Sequence, residues 1–101
     1  MNGIEGAEQE YRELVSEGWT ISFVVAEFEA GELVTMAQCY LNLVKVQLKT
    51  GRAASDDHAV PKSWPLDHES RWSPSPIAKA NVAKAAALLA LEWDRLHATR
   101  P

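Results

Sequence analysis

Hydrophobic and polar positions follow a helical period most clearly in the last quarter of the chain. Residues 77–96 contain neither glycine nor proline, are rich in alanine, and follow Ser73-Pro74-Ser75-Pro76, a pattern typical of helix starts. Arg95, His97 and Arg100 place cations at the expected helix end. At 100° per residue the run predicts one broad core-facing side, made of Ile77, Ala78, Val82, Ala85, Ala86, Leu88, Leu89, Trp93 and Leu96.

A first helix is predicted over residues 5–17. Ala7, Tyr11 and Leu14 recur at helical spacing with glutamates between them. Gly18 is a suitable C-terminal stop, since glycine adopts the left-handed conformation at low cost.

The middle of the chain supports two interpretations. Residues 19–28 alternate in a strand-like way, which allows an α+β fold in which 19–28 and 32–48 form a hairpin or meander. The favoured interpretation is one long helix over 25–49, ended by Thr50-Gly51, although Gly31 weakens it. Its main apolar side consists of Ala30, Leu33, Val34, Ala37, Tyr40, Leu41, Val44 and Leu48, and a second patch of Phe28, Met36, Cys39, Leu43 and Val46.

A long connection follows, and it holds Trp64 and Trp72. Two indoles favour an ordered loop because exposing both forgoes much burial energy. Residues 52–58 are predicted to be its mobile part. We therefore predict a single all-α domain, residues 1–101, with principal helices at about 5–17, 25–49 and 75–97.

Charge, cysteine content and the length of apolar runs each argue against a class of function for this chain. The chain has 101 residues, 47% of them hydrophobic, and a net charge of −4. The acidic balance argues against nucleic-acid binding. A single cysteine, Cys39, excludes an internal disulfide and favours a reducing compartment. No apolar run is long enough for a membrane span, and the polar N-terminus predicts a cytoplasmic protein.

Carboxylates offer one candidate chemistry. Glu29 and Glu32 have the spacing that helical nucleotide pyrophosphohydrolases use to hold Mg²⁺, but a second acidic pair is needed and Glu92 and Asp94 point apart. Asn81 and Glu92 share an apolar side of the last helix, so we expect an internal polar clamp or, alternatively, a ligand contact.

Other reactive groups lack a supporting pattern. His58 and His68 lie beside acidic residues, but their spacing matches no zinc motif. Cys39 is predicted to be a packed thiol. No cofactor, metal site or catalytic residue is therefore predicted.

The chain has more large apolar side chains than the core of a small helical bundle needs. An exposed cluster of them would mark a protein-binding surface, for which we predict Trp19, Phe28, Met36, Leu43, Trp64 and Trp72. Self-association through the second apolar patch of the middle helix is equally compatible.

Five short pieces in order resemble a group of small phage and prophage proteins. They are Glu17-Gly18-Trp19-Thr20, Gly31-Glu32-Leu33, Trp64-Pro65-Leu66-Asp67, Trp72-Ser73-Pro74 and the stretch from Lys84 to Leu96. The group usually has an acidic, histidine-bearing stretch after the first piece, where this chain has the mainly apolar residues 21–27. The resemblance implies a mainly helical phage accessory protein and no particular reaction.

The combined expectation is a non-enzymatic accessory protein that binds another protein, such as a component of host defence or replication. One alternative is a small nucleotide-binding or Mg²⁺-dependent hydrolase using Glu29, Glu32, Asn81 and Glu92. The other is a self-assembling structural subunit, a homo-oligomer.

Overall fold

The C-terminal helix α4, Ala78–Ala98, is the element on which the others pack. Helices α1 (Gly3–Ser16), α2 (Ile21–Glu27) and α3 (Glu32–Thr50) each contact α4. The computed structural model describes residues 1–51 and 59–98, and within these ranges it contains helices and no strand. The all-α prediction is therefore confirmed, and the α+β alternative is wrong.

Helix α1 ends close to where the sequence predicts. Asn2 and Glu5 form a capping box: the Asn2 side chain accepts from the Glu5 N–H, and the Glu5 carboxylate accepts from the Asn2 N–H. This cap starts the helix at Gly3, two residues before the predicted start. Gly18 follows the helix with φ +107°, in agreement with its predicted role as a stop.

The single long helix predicted over 25–49 is wrong, because the chain turns between α2 and α3. Thr20 caps α2 by accepting from the Phe23 N–H. Phe28 then adopts an extended conformation, and Gly31 has φ +88° before α3 begins. The turn lets the Phe28 ring enter the core, where it is 3% exposed. A continuous helix would not allow that change of direction.

Helices α3 and α4 run antiparallel. Gln47, near the end of α3, accepts a hydrogen bond from Asn81, near the start of α4. Farther along, Met36 and Leu88 line the same cleft. Gly51, with φ +68°, ends α3 as predicted from Thr50-Gly51.

Residues 59–77, here called the Trp segment, cover one side of this helix pair. They include a 3-10 helix, Leu66–Arg71, and the Trp64 Nε1–H donates to the His68 carbonyl at 2.7 Å. The Trp72 ring packs 4.8 Å from that of Tyr40, centroid to centroid. Trp64 is buried and Trp72 partly so, as expected for an ordered loop. The predicted mobile part, 52–58, lies outside the described residues.

Helix α4 buries a different side from the one predicted. Four apolar residues of α4 that were expected in the core are exposed, namely Val82, Leu89, Trp93 and Leu96. Ile77, just before the helix, was expected in the core and is exposed as well. The buried positions are Asn81, Ala85, Ala87, Leu88, Leu91, Glu92 and Arg95. The helix also begins at Ala78 rather than residue 75, after Ser75 Oγ accepts from the Ile77 N–H.

The resulting molecule is flat, with extents of 44 × 33 × 21 Å. One layer holds α1, α4 and α3, with α4 in the middle, because α1 and α3 both pack on it and not on each other within the described residues. The other layer holds the Trp segment, together with the aromatic rings of residues 19–28 that contact it. A thickness of 21 Å leaves room for only these two layers.

Candidate protein-contact surface

Most of the residues predicted to bind a partner lie in the core instead. Trp19, Phe28, Met36 and Trp64 are each at most 8% exposed, whereas Leu43 and Trp72 are partly buried. Arg71 explains part of this arrangement, since its guanidinium lies 5.2–5.8 Å from the rings of Trp19, Phe23 and Phe28. An exposed surface made of the six predicted residues is therefore not present.

Three of these residues, Trp19, Met36 and Trp64, line one cleft of about 360 Å³. Its rim is charged, with Glu10, Glu13 and Glu17 of the α1 region on one side and Arg71 and Lys84 on others. Because so little of each apolar wall residue is accessible, the cleft presents mostly polar groups to solvent.

The carboxylates proposed for Mg²⁺ do not form a site. Glu29 lies before α3, so it does not share a helical face with Glu32. The Glu32 carboxylate instead accepts from the Glu29 N–H at 2.7 Å and lies 3.6 Å from His68 Nε2. No group of three metal-ligating side chains occurs among residues 1–51 and 59–98.

Asn81 and Glu92 make internal contacts at separate places on α4. Asn81 is fully buried and bonds to Gln47 and Ser75. Glu92 accepts from Arg95 at 2.7–3.2 Å, and this hydrogen bond raises the pKa of Arg95. Asn81 thus joins α4 to α3 and to the Trp segment, whereas the Glu92–Arg95 pair lies within α4.

The remaining reactive groups are also held inside. His68 is buried, and its Nδ1 accepts from Arg71 Nε at 3.2 Å. Cys39 is buried with its Sγ 3.3 Å from Ser63 Oγ, as expected for a packed thiol. His58 lies outside the described residues.

The side of the α3–α4 pair away from the Trp segment carries the largest aligned set of exposed apolar side chains. We call it the outer face, and it consists of Val34, Leu41 and Leu48 of α3 with Val82, Leu89 and Leu96 of α4. Each is between 36% and 73% exposed. Single exposed apolar residues are ordinary in proteins, but two aligned rows are not.

Helical geometry explains why the two rows share one side. Cys39 of α3 and Lys84 of α4 border the Trp segment, through Ser63 and the cleft respectively. Leu41 and Val82 each lie two residues away from them, about 200° around the helix. Both therefore point away from the Trp segment, toward the opposite broad side of the molecule.

The antiparallel register also brings the two rows to the same height. Extending the Gln47–Asn81 pairing along the helices places Leu48, Leu41 and Val34 within two residues, or about 3 Å, of the heights of Val82, Leu89 and Leu96 respectively. The outer face is thus three apolar rungs, about 21 Å long at 1.5 Å per residue.

Helix α1 borders the outer face beyond α4. Tyr11 donates to the Asp94 carboxylate at 2.5 Å, and Lys84 contacts Glu10 at 3.2 Å. The hydrogen bond to Asp94 and partial burial raise the pKa of Tyr11, so this contact is neutral tyrosine to carboxylate at ordinary pH. Trp93 of α4 and Ile4 of α1 line a shallow groove along this border.

A simple signal in the sequence points to the outer face. On α3, Val34, Ala37, Leu41, Val44 and Leu48 alternate in steps of three and four residues. On α4, Val82, Ala86, Leu89, Trp93 and Leu96 do the same in steps of four and three. This heptad-like spacing is typical of helices that pack along two neighbours.

Comparison of the chain with protein-family models, with curated proteins and with solved structures found no match in any of the three. Among the described residues, no helix is both long enough and apolar enough to cross a lipid bilayer.

Proposed function

We propose that this chain is a phage-type accessory protein that performs no catalysis and acts by binding another protein chain through the outer face. The observation that carries the proposal is the set of three exposed apolar rungs on α3 and α4. Contiguous apolar surface of this kind marks sites of protein contact, because covering it removes apolar area from water.

The hydrogen bonds that the polar side chains make favour a binding role over a catalytic one. The main candidates for ligand binding are engaged within the fold: Glu32 bonds to the Glu29 N–H, Asn81 bonds to Gln47, and Glu92 pairs with Arg95. A catalytic group must instead reach its substrate with its hydrogen-bonding atoms available. The resemblance to small phage and prophage proteins supports the accessory role, with a host protein as one class of partner.

A photo-cross-linking experiment tests the proposal. A photoreactive phenylalanine replaces Leu41 or Leu89 on the outer face, and Leu66 in a matched control. Leu66 is 81% exposed but belongs to the Trp segment on the opposite side. We expect irradiation in cells to give a discrete cross-linked protein band from Leu41 and Leu89 and none from Leu66.

Two results would contradict the proposal. One is no cross-linked product from either outer-face position in a protein that is folded and expressed. The other is the same product from all three positions, which would indicate contact without preference for the outer face.

A further inference from the structure

We infer that the partner seated on the outer face is a second copy of this chain, and that two copies pack outer face against outer face around a two-fold axis parallel to α3 and α4. This inference rests on the proposed function. In this arrangement α3 of each copy lies over α4 of the other, giving four antiparallel helices at the centre of the dimer.

The heptad-like spacing favours a helical partner of matching length. Ala37 and Val44 of α3 already pack inside the subunit, while the alternating positions, Leu41 and Leu48, remain exposed. Such alternation of filled and unfilled positions is what one pair of helices shows when a second pair completes the bundle. A second copy supplies two further rows with the same spacing and length.

The apolar rungs of one copy also match the rungs of a second copy in height. An axis parallel to the helices keeps every residue at its own height, so Leu41 of one copy lies within about 3 Å of the height of Leu89 of the other. Leu48 meets Val82, and Val34 meets Leu96, by the same operation. The face is therefore self-complementary in apolar pattern, as a two-fold contact requires.

The broad side of the molecule that carries the outer face has room for an interface of standard size. The broad side of the molecule measures 44 × 33 Å. That is about 1,400 Å² in projection, against about 800 Å² per partner in a standard interface.

Charge at the two edges selects between the possible two-fold axes. The α3 edge carries Lys45 and Lys49, whereas α1, at the other edge, carries Glu5 and Glu8. An axis parallel to the helices places the lysine edge over the partner's α1. An axis across the helices would instead place these lysines over the partner's α3, which carries no carboxylate from Leu33 to Thr50 to pair with them.

Sedimentation of the purified full chain tests the dimer. We expect the wild type to sediment as a dimer at micromolar concentration and the Leu41→Lys/Leu89→Lys double variant as a monomer. Circular dichroism should show unchanged helix content in the variant, because both positions are exposed in the subunit. Leu66→Lys, at an exposed position away from the outer face, should remain dimeric.

Charge reversal tests the direction of the axis. Lys45→Glu alone and Glu8→Lys alone should each raise the dimer dissociation constant about tenfold. The two substitutions combined in one chain should restore it toward the wild-type value. Glu8 also pairs with Arg12 within α1, so helix content is measured for each variant.

Each outcome decides a separate point. A monomeric wild type, or a double lysine variant that remains dimeric, would overturn the dimer. If outer-face cross-links to a different protein persist in cells while the purified chain is a monomer, the proposed function stands and only this inference fails. A dimer whose combined charge reversal gives no recovery would overturn the parallel axis.

Discussion

Asn81 shows how one buried amide can join three parts of the chain. Its Nδ2 donates to Gln47 Oε1 at 3.0 Å and to the Ser75 carbonyl at 2.8 Å, while its Oδ1 accepts from the Ser75 N–H at 2.8 Å. These bonds connect α4, the end of α3 and the Trp segment. A fully buried polar group stabilises a fold only when its hydrogen bonds are made, and here they are.

Replacement of this amide should be costly. Asn81→Ala leaves the Gln47 Oε1 and the Ser75 N–H without their present partner, so we expect the free energy of unfolding to fall by about 2–4 kcal/mol. Urea unfolding followed by circular dichroism measures the change. Asn42→Ala removes an exposed amide from α3 and should change stability by less than about 0.5 kcal/mol. Equal effects of the two substitutions would show that Asn81 is not a clamp.

At the scale of elements, the turn between α2 and α3 is the feature that departs most from the predicted fold. Helical periodicity continues across residues 25–49, and by itself it predicts one helix. Gly31, at φ +88°, instead allows the chain to change direction, and Glu32 bonds back to the Glu29 N–H. The turn places Phe28 beside Trp19, with ring centroids 5.3 Å apart.

Two glycine substitutions should therefore have opposite signs. Gly31→Ala forces a side chain into the left-handed region and should destabilise the protein by about 1–2 kcal/mol, although no atom obstructs the new Cβ. Gly6→Ala lies inside α1 with only an ordinary contact to Met1 Sδ at 3.8 Å, and should stabilise by about 0.5–1 kcal/mol. Urea midpoints measure both. Stabilisation by Gly31→Ala would contradict the left-handed turn.

The whole molecule has two broad sides with unlike coverings. The Trp segment covers one side and buries indole rings there, while the other side exposes the six residues of the outer face. This asymmetry follows from the central position of α4, which has α3 and α1 beside it and the second layer on one side only. A second copy on the outer face would give α4 neighbours on that side as well.

Association of this kind links stability to protein concentration. The wild-type melting temperature should rise by several degrees between dilute and concentrated solution, because the folded state is favoured by mass action. The Leu41→Lys/Leu89→Lys variant should melt at a temperature independent of concentration. Scanning calorimetry at several concentrations makes the measurement. A wild-type melting temperature that does not move would contradict association through the outer face.

Local signals explain the parts of the fold that were predictable. Periodicity, the stops at Gly18 and Gly51, and the indoles of the connection indicate an all-α chain with an ordered loop. These features depend on neighbours within a few residues, so the sequence is enough to recognise them. The buried hydrogen bonds of Asn81 were predictable for the same reason, since a polar residue on an apolar side must find partners.

The side of each helix that is buried depended on the tertiary structure. Helix α4 has apolar residues around most of its circumference, so its sequence allows several core-facing sides. Contacts with α1, α2 and α3 bury Leu88 and Leu91 and leave Leu89 and Leu96 exposed. The same packing moved the predicted partner residues, Trp19 and Trp64 among them, into the core. Sequence alone determined that the helices form, and the arrangement of neighbours around α4 decided which apolar surface was left uncovered, because burial requires distant segments to meet.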